Sequence, residues 1–298
     1  MSASIHELAK KNIYLGTSSW KYEGWKGLIY KDEYRSEKAF KDNCLEEYAR
    51  HFSCAGVDHT YYAWPNPSTF AKYVDQTPDH FKFGLKVTER TTIFQYPKLK
   101  RYGRQAGEKN SHFLDSELFL EKFVEPLRPV EDRLGVIMLE FSQFYPAMKI
   151  RGSEFTEKLS HFLKEVRKEV DWQFAVELRN ASWLRPEYFA ALKSQGAAHV
   201  FNSWTRMPTV GEQLSLAEEY SFAAYPSRIL LNPGVAYAKA VEAFSPYDRI
   251  QEEHTQMRKD GALLIQRAIE QGVPAYVFVN NRAEGCAPLT IEGILKFL

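Results

Sequence analysis

The chain has 298 residues, of which 44% are apolar and 14% aromatic, and its formal net charge is +1. This size and composition predict one globular domain over residues 1–298, with residues 1–12 as an N-terminal extension. The balanced charge excludes a globally basic surface for nucleic acid, so such a partner would need a local patch.

Three cysteines, Cys44, Cys54 and Cys286, form no CxxC motif, which favours a reducing compartment. Residues 1–12 lack the apolar core of a signal peptide, and no segment approaches the roughly 20 apolar residues of a membrane span. We therefore expect a cytoplasmic protein without membrane attachment.

Short apolar segments bounded by turn residues recur along the chain and predict eight β-strands. In chain order they are 13–18, 55–62, 81–87, 134–141, the start of 174–183, 197–203, 229–231 and 274–279. Apolar spacing and capping residues predict helices between them, at 36–52, from 68, across 119–127, 155–166 and 186–196, at 246–270 and at 290–298.

Strands that alternate with helices indicate parallel pairing through right-handed crossovers. Closed on itself, this arrangement is an α/β fold, a (β/α)8 TIM barrel. An open doubly wound sheet is the alternative, but no GxGxxG motif or P-loop follows any strand.

The connection at 88–113 shows no periodicity, so we expect a lid-like or binding loop after the third strand. Its basic residues are Arg90, Lys98, Lys100, Arg101, Arg104 and Lys109.

The segment 174–183 places polar residues where a buried strand ends. Glu177 and Arg179 are two residues apart and therefore project from the same face of that strand. A buried carboxylate and guanidinium must pair with each other or serve a site, so a structural ion pair and a functional site are both open.

Barrel enzymes carry their sites on the loops after the strands, and polar or aromatic residues follow the predicted strands here. Glu177 is the candidate general acid or base, and Lys86 and Arg179 are candidates to bind an anion or stabilise developing charge. The candidate substrate-binding residues are Ser18, Trp20, Tyr22, Trp25, Asp58, Tyr62, Glu140, Trp183, Asn202, Asn280 and Asn281. Any single aromatic among them could instead close the barrel rim.

Other chemistries have weaker support. Glu140 and Glu177, on adjacent strands, could form the carboxylate pair of a glycosidase, but no sugar-specific pattern accompanies them. No HExxH motif or paired His/carboxylate spacing supports a metal site, and we expect neither a metal nor a cofactor. No GxSxG motif supports a Ser-His-Asp triad at Ser18 and Ser19.

Five segments of the chain are distinctive together. They are residues 16–22, Tyr61-Tyr62, residues 81–86, residues 176–179 with Ser182-Trp183, and residues 278–281. With these segments the chain resembles the YecE-like family, catalogued as domain of unknown function 72, from about residue 13 to 298. The resemblance implies a TIM barrel and no assigned activity.

The chain departs from the pattern of that family at three places. Ser19 replaces a usual glycine, residues 140–143 replace a glutamine followed by a proline pair, and residues 232–234 replace an arginine and a histidine before a glycine. The third departure weakens the case for an anion site after the seventh strand. Lys86, Glu177, Arg179 and Asn280 match.

Two functions follow as hypotheses. The first is a metal-independent enzyme for a small polar or anionic substrate, such as a phosphorylated sugar or a nucleotide-like molecule, by hydrolysis, elimination or isomerisation with a Glu acid/base. The second is a non-catalytic module that binds single-stranded nucleic acid or oligosaccharide through the 88–113 loop and rim aromatics. A small-molecule partner is favoured over nucleic acid. A barrel that scaffolds a partner protein is a third reading, and the oligomeric state stays open.

Overall fold

The computed structural model describes residues 1–231, 234–235 and 237–298. Within them the strands are β1 (Ile13–Thr17), β2 (Cys54–Val57), β3 (Lys82–Lys86), β4 (Leu134–Phe141), β5 (Phe174–Leu178), β6 (Ala198–His199), β7 (Phe201–Ser203), β8 (Tyr225–Ile229) and β9 (Ala275–Val279). The helices are α1 (Ser2–Ala9), α2 (Glu37–Ala49), α3 (Pro67–Asp75), α4 (Glu89–Thr92), α5 (Ser116–Phe119), α6 (Gly152–Val166), α7 (Pro186–Ser194), α8 (Val210–Leu216), α9 (Tyr237–Phe244), α10 (Thr255–Gln271) and α11 (Ala287–Leu295).

The strands form one parallel sheet in the order β6-β5-β4-β3-β2-β1-β9-β8-β7. Its two edge strands, β6 and β7, are consecutive pieces of one chain segment, 198–203. The first piece pairs with β5, and the second pairs with β8. That segment joins the two ends of the sheet and nearly closes the barrel. The expected α/β barrel is confirmed, with nine strands among the described residues in place of the predicted eight.

The extra strand arises because the predicted sixth strand, 197–203, is divided at Val200. The Val200 N–H still donates to the Val176 carbonyl at 2.9 Å. Beyond it the backbone leaves β5, and the Asn202 side-chain amide donates to the carbonyls of Leu178 and Val200, each at 3.3 Å. The buried Asn202 side chain thus provides a donor where the backbone ladder stops.

Several predicted boundaries were wrong. The second strand ends at Val57 and not at 62, because a 3-10 turn, Asp58–Tyr61, follows it. The predicted seventh strand corresponds to Tyr225–Ile229 and not to 229–231. The search for apolar segments missed it because it contains Pro226 and the polar residues Ser227 and Arg228. The helix predicted at 246–270 begins only at Thr255.

The barrel interior depends on close packing between large and small residues. A Cβ atom added to Gly84 in β3 would lie 2.2 Å from the Phe278 ring of β9. A Cβ atom added to Gly16 would lie 1.8 Å from the Cys54 carbonyl oxygen, so β1 and β2 approach too closely for any side chain at this position. These two glycines admit contacts that a larger residue would prevent.

The 88–113 connection has defined structure. It begins with α4, returns through an antiparallel bridge between Gln95 and Lys109, and carries a 3-10 segment, Lys100–Gln105, at its tip. The Asn110 side chain fastens its base, donating to the carbonyls of Arg90 and Ile93 at 2.7 and 2.8 Å. The connection is therefore an ordered loop with secondary structure of its own.

The expected N-terminal extension carries helix α1, whose Ile5 is fully buried in the core. All three cysteines are buried and free, and burial raises the pKa of Cys44 and of Cys286 to about 11, which makes both thiols unreactive. None of the described helices combines the length and the apolar character needed to cross a bilayer.

Candidate functional site

Six charged side chains meet inside the barrel at the carboxyl ends of its strands. We refer to them as the charged cluster, which consists of Asp58, Lys86, Glu140, Glu177, Arg179 and Arg228. Three carboxylates and three cations give a formal charge of zero. Five of the six were predicted as site residues from the sequence.

Strand register explains why these residues converge. Glu140 in β4 lies directly opposite Glu177 in β5, so two carboxylates project side by side from adjacent strands. Lys86 ends β3 opposite Met138, which places it on the same face as Glu140 two residues further along β4. Two neighbouring carboxylates repel each other unless cations lie between them.

Lys86 and Arg179 each bridge two carboxylates. Lys86 Nζ lies 2.9 Å from Asp58 Oδ1 and 3.0 Å from Glu140 Oε2. Arg179 Nη2 lies 2.9 Å from Glu177 Oε1 and 3.0 Å from Glu140 Oε1, and its Nε donates to Glu177 Oε1 at 3.0 Å. Both carboxylates are therefore ion-paired with Arg179, and Glu140 is also ion-paired with Lys86.

Arg228 is the member of the cluster that sequence reasoning missed. Its Nη1 donates to Glu140 Oε2 at 2.7 Å and also to Glu177 Oε2, and its Nη2 lies 3.8 Å from Asp58 Oδ1. The available signal was an arginine inside a segment with strand-forming neighbours, but the predicted seventh strand began one residue after it. An inward-facing arginine in a barrel strand needs buried carboxylates, and the sequence contained two candidates.

Access to the cluster is uneven. Glu177 is completely buried, whereas the side chain of Asp58 is 37% exposed and that of Arg179 is 14% exposed. The Arg179 guanidinium lies 4.1 Å from the centroid of the Trp204 ring, and Lys86 Nζ lies 5.6 Å from that of Tyr61. A ligand arriving from solvent would meet Asp58 and Arg179 first.

The electrostatics favour full ionisation around Glu140. Burial raises the pKa of Glu140, but Arg179, Lys86 and Arg228 together outweigh this effect and hold the pKa well below its usual range. Burial lowers the pKa of Arg228, but Glu177 and Glu140 raise it by more than burial lowers it, so the net shift of this pKa is upward. Glu140 therefore suits charge stabilisation better than proton donation.

The predicted polar residues outside the cluster lie in the turns after the strands, except Asn202, which lies in β7. Asn280 accepts from the Arg282 N–H at 3.0 Å, and Asn281 accepts from the Ala287 N–H at 2.8 Å, so both shape the turn after β9. Ser18 is buried after β1, and its hydroxyl has no hydrogen-bond partner within the described structure. Asn202 lies in β7, and its side chain donates across the break at Val200, as described above.

The predicted aromatic residues do not gather around the cluster. Trp20 packs edge-on against Tyr73 of α3, with ring centroids 5.2 Å apart. Trp25 is fully buried beside Tyr22, at 4.9 Å. The remaining two are Trp183, which stacks on Phe144, and Tyr62, whose ring lies under Arg101.

Two alternative chemistries can be judged from the geometry. Within the described part of the chain, no three His, Cys, Asp or Glu side chains are grouped to hold a metal ion. Glu140 and Glu177 both bond to the same guanidinium nitrogen of Arg228, which occupies the space between them. A glycosidic oxygen would have to enter that space, so the pair is not arranged for glycoside cleavage in this state.

Comparison with known families and structures identifies the relatives of this barrel. The chain matches the family described as "Protein of unknown function DUF72" over residues 14–298. The chain belongs to the DUF72 family. The resemblance drawn from the five sequence segments is thereby confirmed.

The curated relatives carry no activity in their names. The UPF0759 protein YecE of Escherichia coli K12 is 27% identical over 178 residues, which is 60% of this chain and 50% of the relative. The UPF0759 protein YunF of Bacillus subtilis strain 168 is 25% identical over 206 residues, 67% of this chain and 62% of the relative. The chain thus spans about half to three fifths of the length of these curated relatives.

Two solved structures of DUF72 family proteins share the fold. The protein from Enterococcus faecalis V583 has a TM-score of 0.62 at 20% identity and covers 96% of this chain and 95% of its own. The protein from Thermotoga maritima MSB8 has a TM-score of 0.59 at 20% identity, with 96% and 97% coverage. At this identity the likeness concerns the barrel architecture.

Proposed function

We propose that this DUF72 protein is an enzyme that acts, without a metal, on a small polar substrate with an anionic group. The charged cluster carries the proposal. Replacing buried ion pairs by apolar residues is often neutral or stabilising, so six ionised groups at a barrel mouth are not explained by stability alone. Barrel enzymes hold their reactive groups at this end of the strands.

In this proposal Lys86 and Arg179 bind the substrate anion. Lys86 now bonds to Asp58 and Glu140, and Arg179 bonds to Glu140 and Glu177. An anion that approaches past the partly exposed Asp58 and Arg179 would compete with these carboxylates for the two cations. A planar guanidinium suits a carboxylate or phosphate group, which bonds to it in a bidentate manner.

The same exchange would prepare Glu177 for proton transfer. Arg179 donates twice to Glu177 Oε1, so this oxygen becomes available only when Arg179 turns toward another anion. Glu177 is then the acid or base, while Glu140 and Arg228 stay paired and keep the local charge fixed. Hydrolysis, elimination and isomerisation are the reaction classes that such a carboxylate can serve.

A panel of phosphorylated and carboxylated metabolites, screened by thermal shift, tests this proposal. We expect at least one compound to stabilise the wild-type protein and Lys82→Ala but not Lys86→Ala. Lys82 is a matched control because it begins the strand that Lys86 ends and lies at the opposite end of the barrel. If no compound stabilises wild type more than Lys86→Ala, the enzyme proposal fails.

Turnover separates an enzyme from a binder. Each stabilising compound is incubated with protein and followed by NMR spectroscopy. We expect conversion with wild type and at least a hundredfold slower conversion with Glu177→Gln, as general acid–base catalysis contributes about 10²–10⁴-fold. Binding without conversion would favour the second hypothesis.

That alternative, a module for single-stranded nucleic acid or oligosaccharide, has support at the rim. The Arg101 guanidinium lies 5.3 Å from the Tyr62 ring, which is 61% exposed, and 4.6 Å from the Tyr102 ring. Exposed aromatics beside cations suit base stacking next to a phosphate.

Oligonucleotide binding as a function of salt tests the alternative. A fluorescent oligo-dT is titrated with wild type and with a triple variant in which Lys100, Arg101 and Arg104 become serine. Binding that falls steeply between about 50 and 200 mM salt, and that the triple variant loses, would support it. Equal binding by the two proteins would exclude this surface.

A further inference from the structure

A cavity separate from the charged cluster lies at the carboxyl rim of the barrel, between the start of the 88–113 connection and the loop after β4. Its volume is about 370 Å³, which falls in the range of roughly 300–1,000 Å³ that is typical of small-molecule sites. Its walls include Ile93, Phe94 and Tyr96 on one side and Phe144, Tyr145 and Met148 on the other. None of the proposed catalytic groups belongs to it.

The walls of this cavity suit a flat ring. Phe94 and Phe144 lie with centroids 6.1 Å apart, and Trp183 stacks on Phe144 at 4.8 Å and holds it in place. Aromatic walls favour an aromatic guest through offset or edge-on stacking. A single sugar ring would contact these apolar surfaces only through its C–H groups, and an inorganic anion would leave them without complementary contacts.

The cavity wall also contains a polar group without a partner. Thr92 lines the cavity, and its buried hydroxyl has no hydrogen-bond partner among the described residues. The oxygen itself is enclosed by protein atoms, so the wall that a ligand meets is mainly the apolar surface of the aromatic side chains.

Ser142 and Tyr61 lie between the cavity and the charged cluster. Ser142 lines the cavity and follows Glu140 by two residues. Its side chain interacts with that of Tyr61, whose ring centroid lies 5.6 Å from Lys86 Nζ. One ligand could therefore place a ring in the cavity and an anionic group at Lys86.

We infer that the cavity binds the aromatic or heteroaromatic ring of the substrate whose anionic group Lys86 and Arg179 hold. This inference rests on the proposed function and narrows the substrate class. A nucleotide-like or aryl phosphate compound fits both subsites, whereas a phosphorylated sugar fills only one.

Four kinds of probe separate the two subsites in calorimetric titrations. Inorganic phosphate reports on the cluster alone, and benzyl alcohol reports on the cavity alone. Phenyl phosphate and 2-phenylethyl phosphate each carry a phenyl ring and a phosphate group, at two different spacings. For brevity both are called aryl phosphates below. We expect one of the two aryl phosphates to bind about tenfold or more tightly than inorganic phosphate, since burying a phenyl-sized group contributes about that factor.

Two tryptophan variants provide the matched comparison. Ser142→Trp places a large side chain at the junction of cavity and cluster, whereas Ala147→Trp adds the same side chain at an exposed position of the same loop that does not line the cavity. We expect Ser142→Trp to abolish benzyl alcohol binding and to reduce aryl phosphate affinity to that of inorganic phosphate. Ala147→Trp should bind every probe as wild type does.

The outcomes distinguish failure of the inference from failure of the proposed function. If benzyl alcohol does not bind, or binds equally to Ser142→Trp, the cavity is not a ring site. If it binds but neither aryl phosphate exceeds the better of the single-group probes, the two subsites are not joined and the inference fails. If inorganic phosphate alone fails to bind while benzyl alcohol binds and is lost in Ser142→Trp, the ring site stands and the anion-binding role of Lys86 and Arg179 fails.

Discussion

At the scale of single residues, the charged cluster is a set of mutually dependent groups. Glu140 contacts three cations, Lys86, Arg179 and Arg228, so its loss affects the solvation of all three. A buried charge whose partner is removed keeps its desolvation cost and loses the compensating attraction. The cluster should therefore respond strongly to single substitutions.

Glu140→Gln tests this dependence. We expect the free energy of unfolding at pH 7 to fall by about 3–5 kcal/mol, because the variant leaves buried cations incompletely paired. Urea denaturation measures the change. Glu37→Gln, which removes an exposed carboxylate from an i,i+4 pair with Lys41, should leave stability close to wild type.

The pH dependence of this loss has a definite sign. The folded pKa of Glu140 is lowered, so its contribution is present above the unfolded pKa of about 4.3 and declines as the pH falls below it. The stability difference between wild type and Glu140→Gln should thus narrow in acid. A difference that is constant from pH 7 to pH 3 would contradict the assignment.

His199 predicts a separate effect in a different pH window. Burial lowers its pKa to about 4, although a hydrogen bond with Gln213 opposes this shift. Between the unfolded value of about 6.5 and the folded value the unfolded chain binds the extra proton, so His199 should remove about 3 kcal/mol of stability as the pH falls from 7 to 4.

Comparison of two histidine variants isolates this term. Urea denaturation of wild type, His199→Gln and the exposed-site control His161→Gln is carried out across that pH range. We expect His199→Gln to have a shallower decline in stability than the other two proteins. Parallel declines in all three would show that His199 does not titrate on unfolding.

At the scale of elements, the contact between β3 and β9 sets the width of the barrel interior. Gly84 lies against the Phe278 ring, and the missing side chain of one residue makes room for the other. Gly135 in β4 lies in the same way against the Tyr276 ring, since a Cβ atom added to it would lie 2.6 Å from that ring. Small residues therefore make room for two large rings of β9.

Gly84→Ala should overpack this contact. We expect a loss of about 1–3 kcal/mol in unfolding free energy, and we expect Phe278→Leu in the same chain to recover part of it. Urea denaturation of the two single variants and the double variant measures the coupling. If the two single effects simply add, the residues do not share one space.

Element boundaries also show where sequence patterns stop being informative. The apolar periodicity of α6 and the strand at β4 were predictable because one face is buried against the same core along the whole element. The position of β8 was not, because Arg228 faces inward to carboxylates on other strands. Only those partners, distant in sequence, make an arginine compatible with that position.

At the scale of the whole molecule, the 88–113 connection contributes no strand to the barrel sheet. Its tip, Lys100–Gln105, contains no buried residue, whereas Asn110 at its base forms hydrogen bonds with several backbone groups. The tip and the base should therefore differ in their importance for folding.

Replacement of residues 99–106 by a four-residue Gly-Ser linker should change the unfolding free energy by no more than about 1 kcal/mol, since closing a shorter surface loop alters little. Asn110→Ala should cost more, about 1–3 kcal/mol, because it leaves buried backbone groups without partners. Far-UV circular dichroism and urea denaturation provide both measurements. A larger loss from the linker than from Asn110→Ala would show that the tip supports the barrel.

The sequence alone determined three features of this protein. They are the alternation of strands and helices, the polar residues that follow each strand, and the family to which the chain belongs. These features depend on neighbours within a few residues, where side-chain periodicity and turn chemistry act directly. The tertiary structure decided which of those polar residues meet. It paired Glu140 with Glu177, added Arg228, turned Asn280 and Asn281 into turn-stabilising groups and divided the sixth strand at Val200. The physical reason is that strand register and barrel closure bring together residues up to 170 positions apart, from Asp58 to Arg228, and no local pattern records that distance.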